Sequence, residues 1–332
     1  MSAEAQRRAE AAWSGAARWR PWEIGIWLAA AASLVLLPDQ HLLLNEIAIT
    51  ALFALSLDLI LGYAGIVSLG HAAFFGIGAY AAGLFAKHVS GDPFLGLAFA
   101  AAAALVAGFA TSFLVLRGSD LTRLMVTLSV SLVLGEIANR MSQWTGGADG
   151  LQGIEMAPLL GRFEFDLYGH TAYAYSLATL FLLFLAARRI SHSSFGLSLR
   201  AVRENPLRTA AIGIPVKGRL IAAYSLAAAY AGVAGALLAQ TTQFVSLDVL
   251  AFHRSADIML VLIIGGVGYL YGGLIGAVLF KLGQDWISAL TPEYWEFWVG
   301  FILVALVLAG RERIAGLLMS APRPRRFIGG RP

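Results

Sequence analysis

Ser68 and His71 stand three residues apart, and a serine beside an imidazole is the start of a hydrolytic dyad. The pair lacks the nearby acidic group that would orient the ring. The chain contains no cysteine, so there is no thiolate nucleophile, disulfide or cysteine–metal site. It also contains neither a GxxxxGK[ST] phosphate loop nor an HExxH metal pair. The sequence therefore predicts no catalytic centre, no metal and no cofactor. What remains is a small set of ionisable residues inside apolar runs: Glu46, Asp58, Glu136, Asp257, Lys281 and Asp285. A charge in hydrocarbon is costly, so each is a functional candidate by default. Lys281 and Asp285 lie four apart, one helical turn, and can neutralise each other. Glu46 and Asp58 fall near the ends of their runs, where water is close. These residues form no continuous carboxylate relay of the kind a proton-driven carrier uses. The pattern favours a transporter powered from elsewhere.

The elements that must position these groups are membrane helices. Of 332 residues, 58% are hydrophobic and 13% charged, about half the charged fraction of a soluble domain. Repeated apolar runs of about 20 residues are the signature of bilayer-spanning helices. The net charge of +4 does not read as a nucleic-acid surface, because the cations gather at the ends of apolar segments. The expected fold is all-α and polytopic, with about ten transmembrane helices. The spans are placed at residues 23–38, 43–61, 66–86, 94–116, 123–140, 169–187, 219–239, 255–268, 272–290 and 294–310. Eight results if 255–290 is counted differently. The domain plan is a basic N-terminal segment (1–22), a transmembrane domain (23–310) that includes the loop 188–219, and a basic tail (311–332). The lead fits either a surface helix carrying Trp13, Trp19 and Trp22 or an extended tail. No cleavable signal peptide is expected in it.

Charge distribution supports an even span count. With both termini on one side, that side collects most of the 24 Lys and Arg, including Arg7, Arg8, Arg18, Arg20, Arg117, Arg123 and the arginines after 310. The positive-inside rule makes it the cytoplasmic side. The opposite side carries the long, mildly acidic loop Met141–His170 and the shorter loop Gln240–Arg254, both able to receive something from outside.

Two glycine-rich stretches stand out. The first is GYAGIVSLGHAAFFGIGAY, residues 62–80, and the second is IIGGVGYLYGGLIG, residues 263–276. Glycines in apolar sequence serve close helix packing or a broken helix, and irregular backbone at membrane depth survives only inside protein or beside water. Leu61–Gly70 and Ile264–Gly273 are expected to hold broken or re-entrant backbone. Gly62, Gly65, Ser68, Gly70, His71, Gly265, Gly266 and Gly268 are the candidate translocation path, against a small-residue packing seam as the other reading. Paired interruptions of this sort suggest a duplicated architecture.

Between residues 188 and 219 lies the longest cationic interruption. It carries Arg188, Arg189, Arg200, Arg203, Arg208, Lys217 and Arg219, opposed only by Glu204. Asn205 is a favourable N-cap and Pro206 suits the first helical position. Gly213 fits the left-handed position after a helix, and Pro215 ends it. Leu207, Ala210 and Ala211 put apolar groups on one side. The spacing predicts two turns of helix outside the bilayer, shaped to be gripped by a partner.

The stretch at 62–80, TGGADGL at 145–151, FGLSLRAVRENPLRTAAIGI at 195–214 and SADIMLVLIIGGVGYLYGGLIGAVLF at 255–280 resemble the permeases of branched-chain amino-acid ABC importers, the M-type subunit above all. The resemblance runs from about residue 55 to 310. It implies a bacterial inner-membrane location with both termini cytoplasmic. It further implies a second, H-type permease subunit, two ABC ATPase subunits and a periplasmic binding protein. In such importers a short cytoplasmic helix docks on the ATPase. The resemblance assigns that coupling role to Arg200, Arg203, Glu204, Asn205, Pro206, Ala210, Ala211 and Gly213, although Asn205-Pro206 directly after Glu204 departs from the usual Glu-Ala-Ala…Gly spacing. Urea and short-chain amide importers use similar permeases. An ion-coupled carrier or channel and a polytopic membrane enzyme are the readings from other classes.

Overall fold

The computed structural model describes residues 19–118, 120–166, 168–290, 294, 297–298 and 300–301. The first 18 residues, most of the expected span 294–310 and the basic tail lie outside the described residues. Two compact units divide the chain after Lys281. In the second unit the described rings of Phe297, Trp298 and Phe301 cluster together.

The described residues fold as helices: α1 (Pro21–Leu36), α2 (His41–Asp58), α3 (Ala72–His88), α4 (Pro93–Val115), α5 (Asp120–Arg140), α6 (Ser142–Thr145), α7 (His170–Ser191), α8 (Ser194–Glu204), α9 (Pro206–Ala211), α10 (Val216–Thr242), α11 (Phe252–Gly265) and α12 (Leu270–Leu290). Extended pairing among them is limited to the isolated bridges Leu151–Val245 and Leu159–Phe163. The first of these joins the two loops expected on the outer side.

Every expected span up to residue 290 falls on a helix, yet the count of crossings differs. By length and composition five helices can cross a membrane, or six if the bent pair α11–α12 is one span. Nine of the ten expected spans lie within the described residues, and three features separate those nine from the six. Helix α1 has only 16 residues. Helix α3 has 17, because residues 66–71 of the expected span leave the helix. Helices α11 and α12 meet at 110° across a short break, so they are not two clean crossings.

Helix α10 is the centre of the body. Its apolar window is 78% buried, as is that of the α2 segment, against 22% for α4 and 17% for α5. Burial follows side-chain size. The inward stripe of α4 is Gly96, Ala100, Ala104, Gly108 and Ser112, recurring every four residues. A Cβ on Gly108 would fall on Ala228 of α10, and one on Gly232 would fall on Ala104. Small residues let backbones approach where lipid offers no hydrophobic drive. The outward stripe of α4 is large and apolar, with Phe94, Phe99, Phe109 and Phe113 exposed.

Buried polar groups fix the packing. The Tyr175 hydroxyl donates to Gln240 Oε1 at 2.9 Å, and Gln240 Nε2 donates to the Pro93 carbonyl at 2.9 Å. This ties α7, α10 and the start of α4. Arg188 Nη1 donates to Glu23 Oε2 at 2.6 Å, with both side chains about nine-tenths buried. The Arg188 guanidinium also lies 4.4 Å from the Trp19 ring centre. Arg188, one of the seven cations of the interruption, is therefore a strut between α1 and α7 rather than a free surface charge. Removing one partner of a buried pair leaves an uncompensated charge. Glu23→Gln is accordingly expected to cost about 3 kcal/mol, while Glu23→Leu combined with Arg188→Met recovers most of it. Thermal unfolding in detergent decides this, and a single variant as stable as the parent would remove the strut from the account.

Candidate functional site

Both glycine-rich stretches are breaks. After α2 the backbone passes through one π turn, Leu59–Tyr63, and then leaves helix altogether until Ala72. Gly65 takes a left-handed φ of +73°. The second break, residues 266–269, uses Gly266 at φ +114° and Gly268 at φ +80°. Non-helical backbone inside a membrane body must find its hydrogen bonds within the protein. Side chains supply them here. Leu69 N donates to Thr127 Oγ1 at 3.2 Å, and Ala72 N to Ser255 Oγ at 2.9 Å. Gly268 N donates to Asp58 Oδ1 at 2.6 Å, and Arg203 Nη1 donates to the Gly62 carbonyl.

The last two bonds share one spot. A Cβ on Gly62 would strike the Asp58 carboxylate and the Gly268 amide, and the stem of Arg203 runs over Gly65. Arg203 is in the last turn of α8. One side chain therefore joins the cationic interruption to the first break, and Asp58 joins the first break to the second. Asp58 is 0% exposed, which corrects the expectation of a carboxylate near water. Lys281 is corrected likewise: its Nζ reaches Glu46 Oε2 at 3.1 Å, rather than neutralising Asp285.

The cationic interruption holds two helices, not one. Ser193 caps α8 by accepting from Phe195 N (3.2 Å) and Gly196 N (3.4 Å). Leu199 and Val202, three apart, are its buried side. That Ser cap followed by apolar residues at helical spacing was the available signal for α8. Asn205 caps α9 as expected, its Oδ1 accepting from Arg208 N at 2.9 Å, with Pro206 first in the helix. Gly213 takes φ +85°. Leu207 is 83% exposed and Ile212 73%, while Ala210, Ala211 and Glu204 are also exposed. Arg200 and Arg203 turn toward the body instead, with Arg200 5.1 Å from the Tyr63 ring centre.

The remaining path candidates lie in packed interior. Ser68 is buried, and so is His71, whose Nε2 meets Ser56 Oγ at 2.8 Å and whose ring stacks on Phe53. A Cβ on Gly70 would fall on the Thr127 carbonyl, and one on Gly265 on the Gly272 carbonyl. The structure thus brings Gly62, Gly65 and Gly268 together at Arg203 and leaves Ser68, Gly70, His71 and Gly265 at separate close contacts.

Interrupted helices packed through glycine, five or six of them long and apolar enough to cross a membrane among the described residues, define an all-α polytopic membrane protein. The family described as branched-chain amino acid transport system, permease component, matches residues 41–307, and the chain belongs to it. The chain is similar to the high-affinity branched-chain amino acid transport system permease protein LivM of Escherichia coli (strain K12), 24% identical over 278 residues, covering 77% of this chain and 65% of the relative. The same protein name in Salmonella typhimurium gives 24% identity with the same coverage. A probable branched-chain amino acid transport permease protein LivH of Methanocaldococcus jannaschii is 25% identical, covering 74% of this chain and 78% of the relative. The chain spans just under two thirds of the length of the LivM relatives. No solved structure matches.

The joint at Gly62 is directly testable because the chain has no native cysteine. A hydrogen bond to a charged group contributes about 1.5–3 kcal/mol, which corresponds to at least a tenfold change in an opening equilibrium. Asp58→Leu and Arg203→Met, each in a Val267→Cys background, are expected to speed thiol labelling at position 267 about tenfold. Equal labelling rates in all three proteins would mean the second break is held by other contacts.

Proposed function

We propose that the chain is the transmembrane permease subunit of an ABC importer that passes branched-chain amino acids across the bacterial inner membrane. In this reading both termini and the 188–219 interruption are cytoplasmic. An H-type permease subunit completes the pore, two ABC ATPase subunits grip α9, and a periplasmic binding protein delivers solute to the loops after α5 and α10. Family membership and the names of the relatives support the class.

The observation that carries the mechanism is the pairing of an outward apolar knob with an inward tether on one short hairpin. Leu207 on α9 and Ile212 just past its end are exposed, a surface suited to a groove on a soluble partner. Arg203, three residues before Pro206, holds the Gly62 carbonyl. Movement of the hairpin by an ATPase would be transmitted to the first break through Arg203 and to the second through Asp58 and Gly268. Breaks held by single hydrogen bonds are where a packed helical body can switch between two arrangements. The chain carries no phosphate loop, so the energy comes from the partner.

Leu207→Asp combined with Ile212→Asp is expected to abolish co-purification of the ATPase subunits and to cut ATP-driven leucine uptake at least tenfold, while membrane insertion persists. Retained ATPase binding in that variant would sink the role given to α9. Ala210→Cys is expected to react with an impermeant thiol reagent from the cytoplasmic side alone. Reaction from the periplasm would overturn the orientation.

A further inference from the structure

Helix α11 begins inside the membrane body, not at its surface. Ser131, near the middle of the 21-residue α5, donates from Oγ to the Leu250 carbonyl at 2.9 Å. At 1.5 Å per residue, Leu250 therefore lies about 15 Å from either end of α5. Helix α11 starts two residues later and is tied at its first turn, where Ser255 Oγ accepts from Ala72 N at 2.9 Å.

Charge gathers at this depth. Asp248 Oδ2 accepts from Arg254 Nε at 2.9 Å and Nη2 at 2.7 Å, and Asp248 Oδ1 pairs with His253 Nε2 at 2.9 Å. The three side chains are not enclosed: His253 is 61% exposed, Asp248 39% and Arg254 38%. None of them is long enough to snorkel about 15 Å to a headgroup, and open charge against hydrocarbon is costly. The side of the protein suited to lipid is the one that carries Phe94, Phe99, Phe109 and Phe113 on α4. The cluster belongs instead beside water.

The side of α11 below the cluster changes character. Helix α11 buries Ser255, Ile258, Val261 and Leu262. The opposite side runs His253, Ala256, Leu260 and Ile264 in steps of three or four residues, and none of these four is buried. Asp257 borders this stripe one turn below His253, and from Leu260 onward the stripe is apolar. Leu260 lies about 10 Å along the axis from His253. Ile264 stands just before the second break, where Asp58 holds the Gly268 amide at 2.6 Å.

Resting on the permease reading above, we propose that this stripe is one wall of the solute passage. The passage is a water-filled vestibule down to the level of His253, closed by an apolar gate at Leu260 and Ile264. Apolar side chains that narrow a passage exclude water from it, and a small widening readmits water. The gate sits where the body can move it. A rearrangement at Gly266–Gly268 reaches Ile264 and Leu260 first, while the Ala72–Ser255 bond holds the upper end of α11. The passage therefore runs beside the packed glycines of the two breaks, not through them.

The test uses the whole importer in proteoliposomes. In His253→Cys and Ala256→Cys importers a water-soluble thiol reagent is expected to label this subunit, and in Phe109→Cys, on the lipid side of α4, it is not. Leu260→Ser combined with Ile264→Ser is expected to raise downhill leucine efflux, without ATP or binding protein, about tenfold over the parent, as widening an apolar constriction does. Leu182→Ser, a change of the same kind at an exposed position of α7, is expected to leave efflux at the parent rate. Absence of labelling at both 253 and 256 in the assembled complex would overturn the proposal. So would parental efflux from the Leu260/Ile264 variant, or loss of the second permease subunit from it, which would make the stripe a subunit interface. Failure of the unmutated importer to take up leucine with ATP and binding protein is a different result, because it strikes the functional reading and leaves labelling and leak to be read on their own.

Discussion

Backbone that leaves the helix inside a membrane body exposes amides and carbonyls with no water to satisfy them. The interior of this protein is arranged around that constraint. Two breaks, after α2 and between α11 and α12, are satisfied by side chains that come from far away in the sequence. Thr127 serves Leu69, Ser255 serves Ala72, Asp58 serves Gly268 and Arg203 serves Gly62. Thr127, Ser255 and Asp58 are polar residues buried in an apolar body, and Arg203 reaches in from an exposed position. Glycine is required at 62 because Asp58 and the Gly268 amide approach too closely for a Cβ, and at 65 and 268 because the backbone is left-handed there.

The same constraint organises the helices. Helix α2 ends in a break, and α3 starts again within the body. Helix α10 ends near Thr242, the chain bends inward through Leu247–Leu250, and α11 likewise starts within the body. The two short helices touch at their first turns through Ala72 and Ser255 and run to opposite ends. Helix α3 finishes beside the Pro93 end of α4, and α11 finishes at the Asp58 end of α2. The glycine-rich stretches suggested a duplicated architecture on compositional grounds, and in the fold the two stretches have different surroundings. The glycines of 263–276 serve a sharp reversal and close α11–α12 contact, with Gly265 against Gly272 and Gly276 against Val261.

What could be read from the sequence was local. Hydropathy placed the helices through 290. The Asn205-Pro206…Gly213 signal placed α9 and its cap, because capping acts within four residues. Glycine clusters placed both breaks. What could not be read was long-range pairing. Lys281 and Asp285 are one turn apart, yet Lys281 chose Glu46. Arg188 belongs by sequence to a cationic surface and by structure to a buried pair with Glu23. Asp58 looked like a span-end carboxylate and is instead enclosed by the second break. Spacing reports which residues share a helix face and nothing about which helix lies opposite.

The two ends of the hairpin α8–α9 then have separate physical jobs. Its outer surface is apolar and exposed at Leu207 and Ile212, and a change there alters what it binds. Its inner surface is charged and committed, with Arg203 on Gly62 and Arg200 against Tyr63. Asn205 stands between them, extended at φ −157°, and makes the corner between α8 and α9. The hairpin is held to the body by the buried Leu199 and Val202 as well as by its arginines. The first thing a shift of the hairpin disturbs is the carbonyl of Gly62, one peptide group in a break already short of helical bonds. Because the Asp58 carboxylate on the same turn also holds Gly268, neither break can rearrange without the other feeling it. In the proposed reading, coupling between the hairpin and α11 needs no chain of many contacts. It needs Arg203, the Gly62 carbonyl, Asp58 and the Gly268 amide, followed by a helix that begins at Phe252 and ends at the second break.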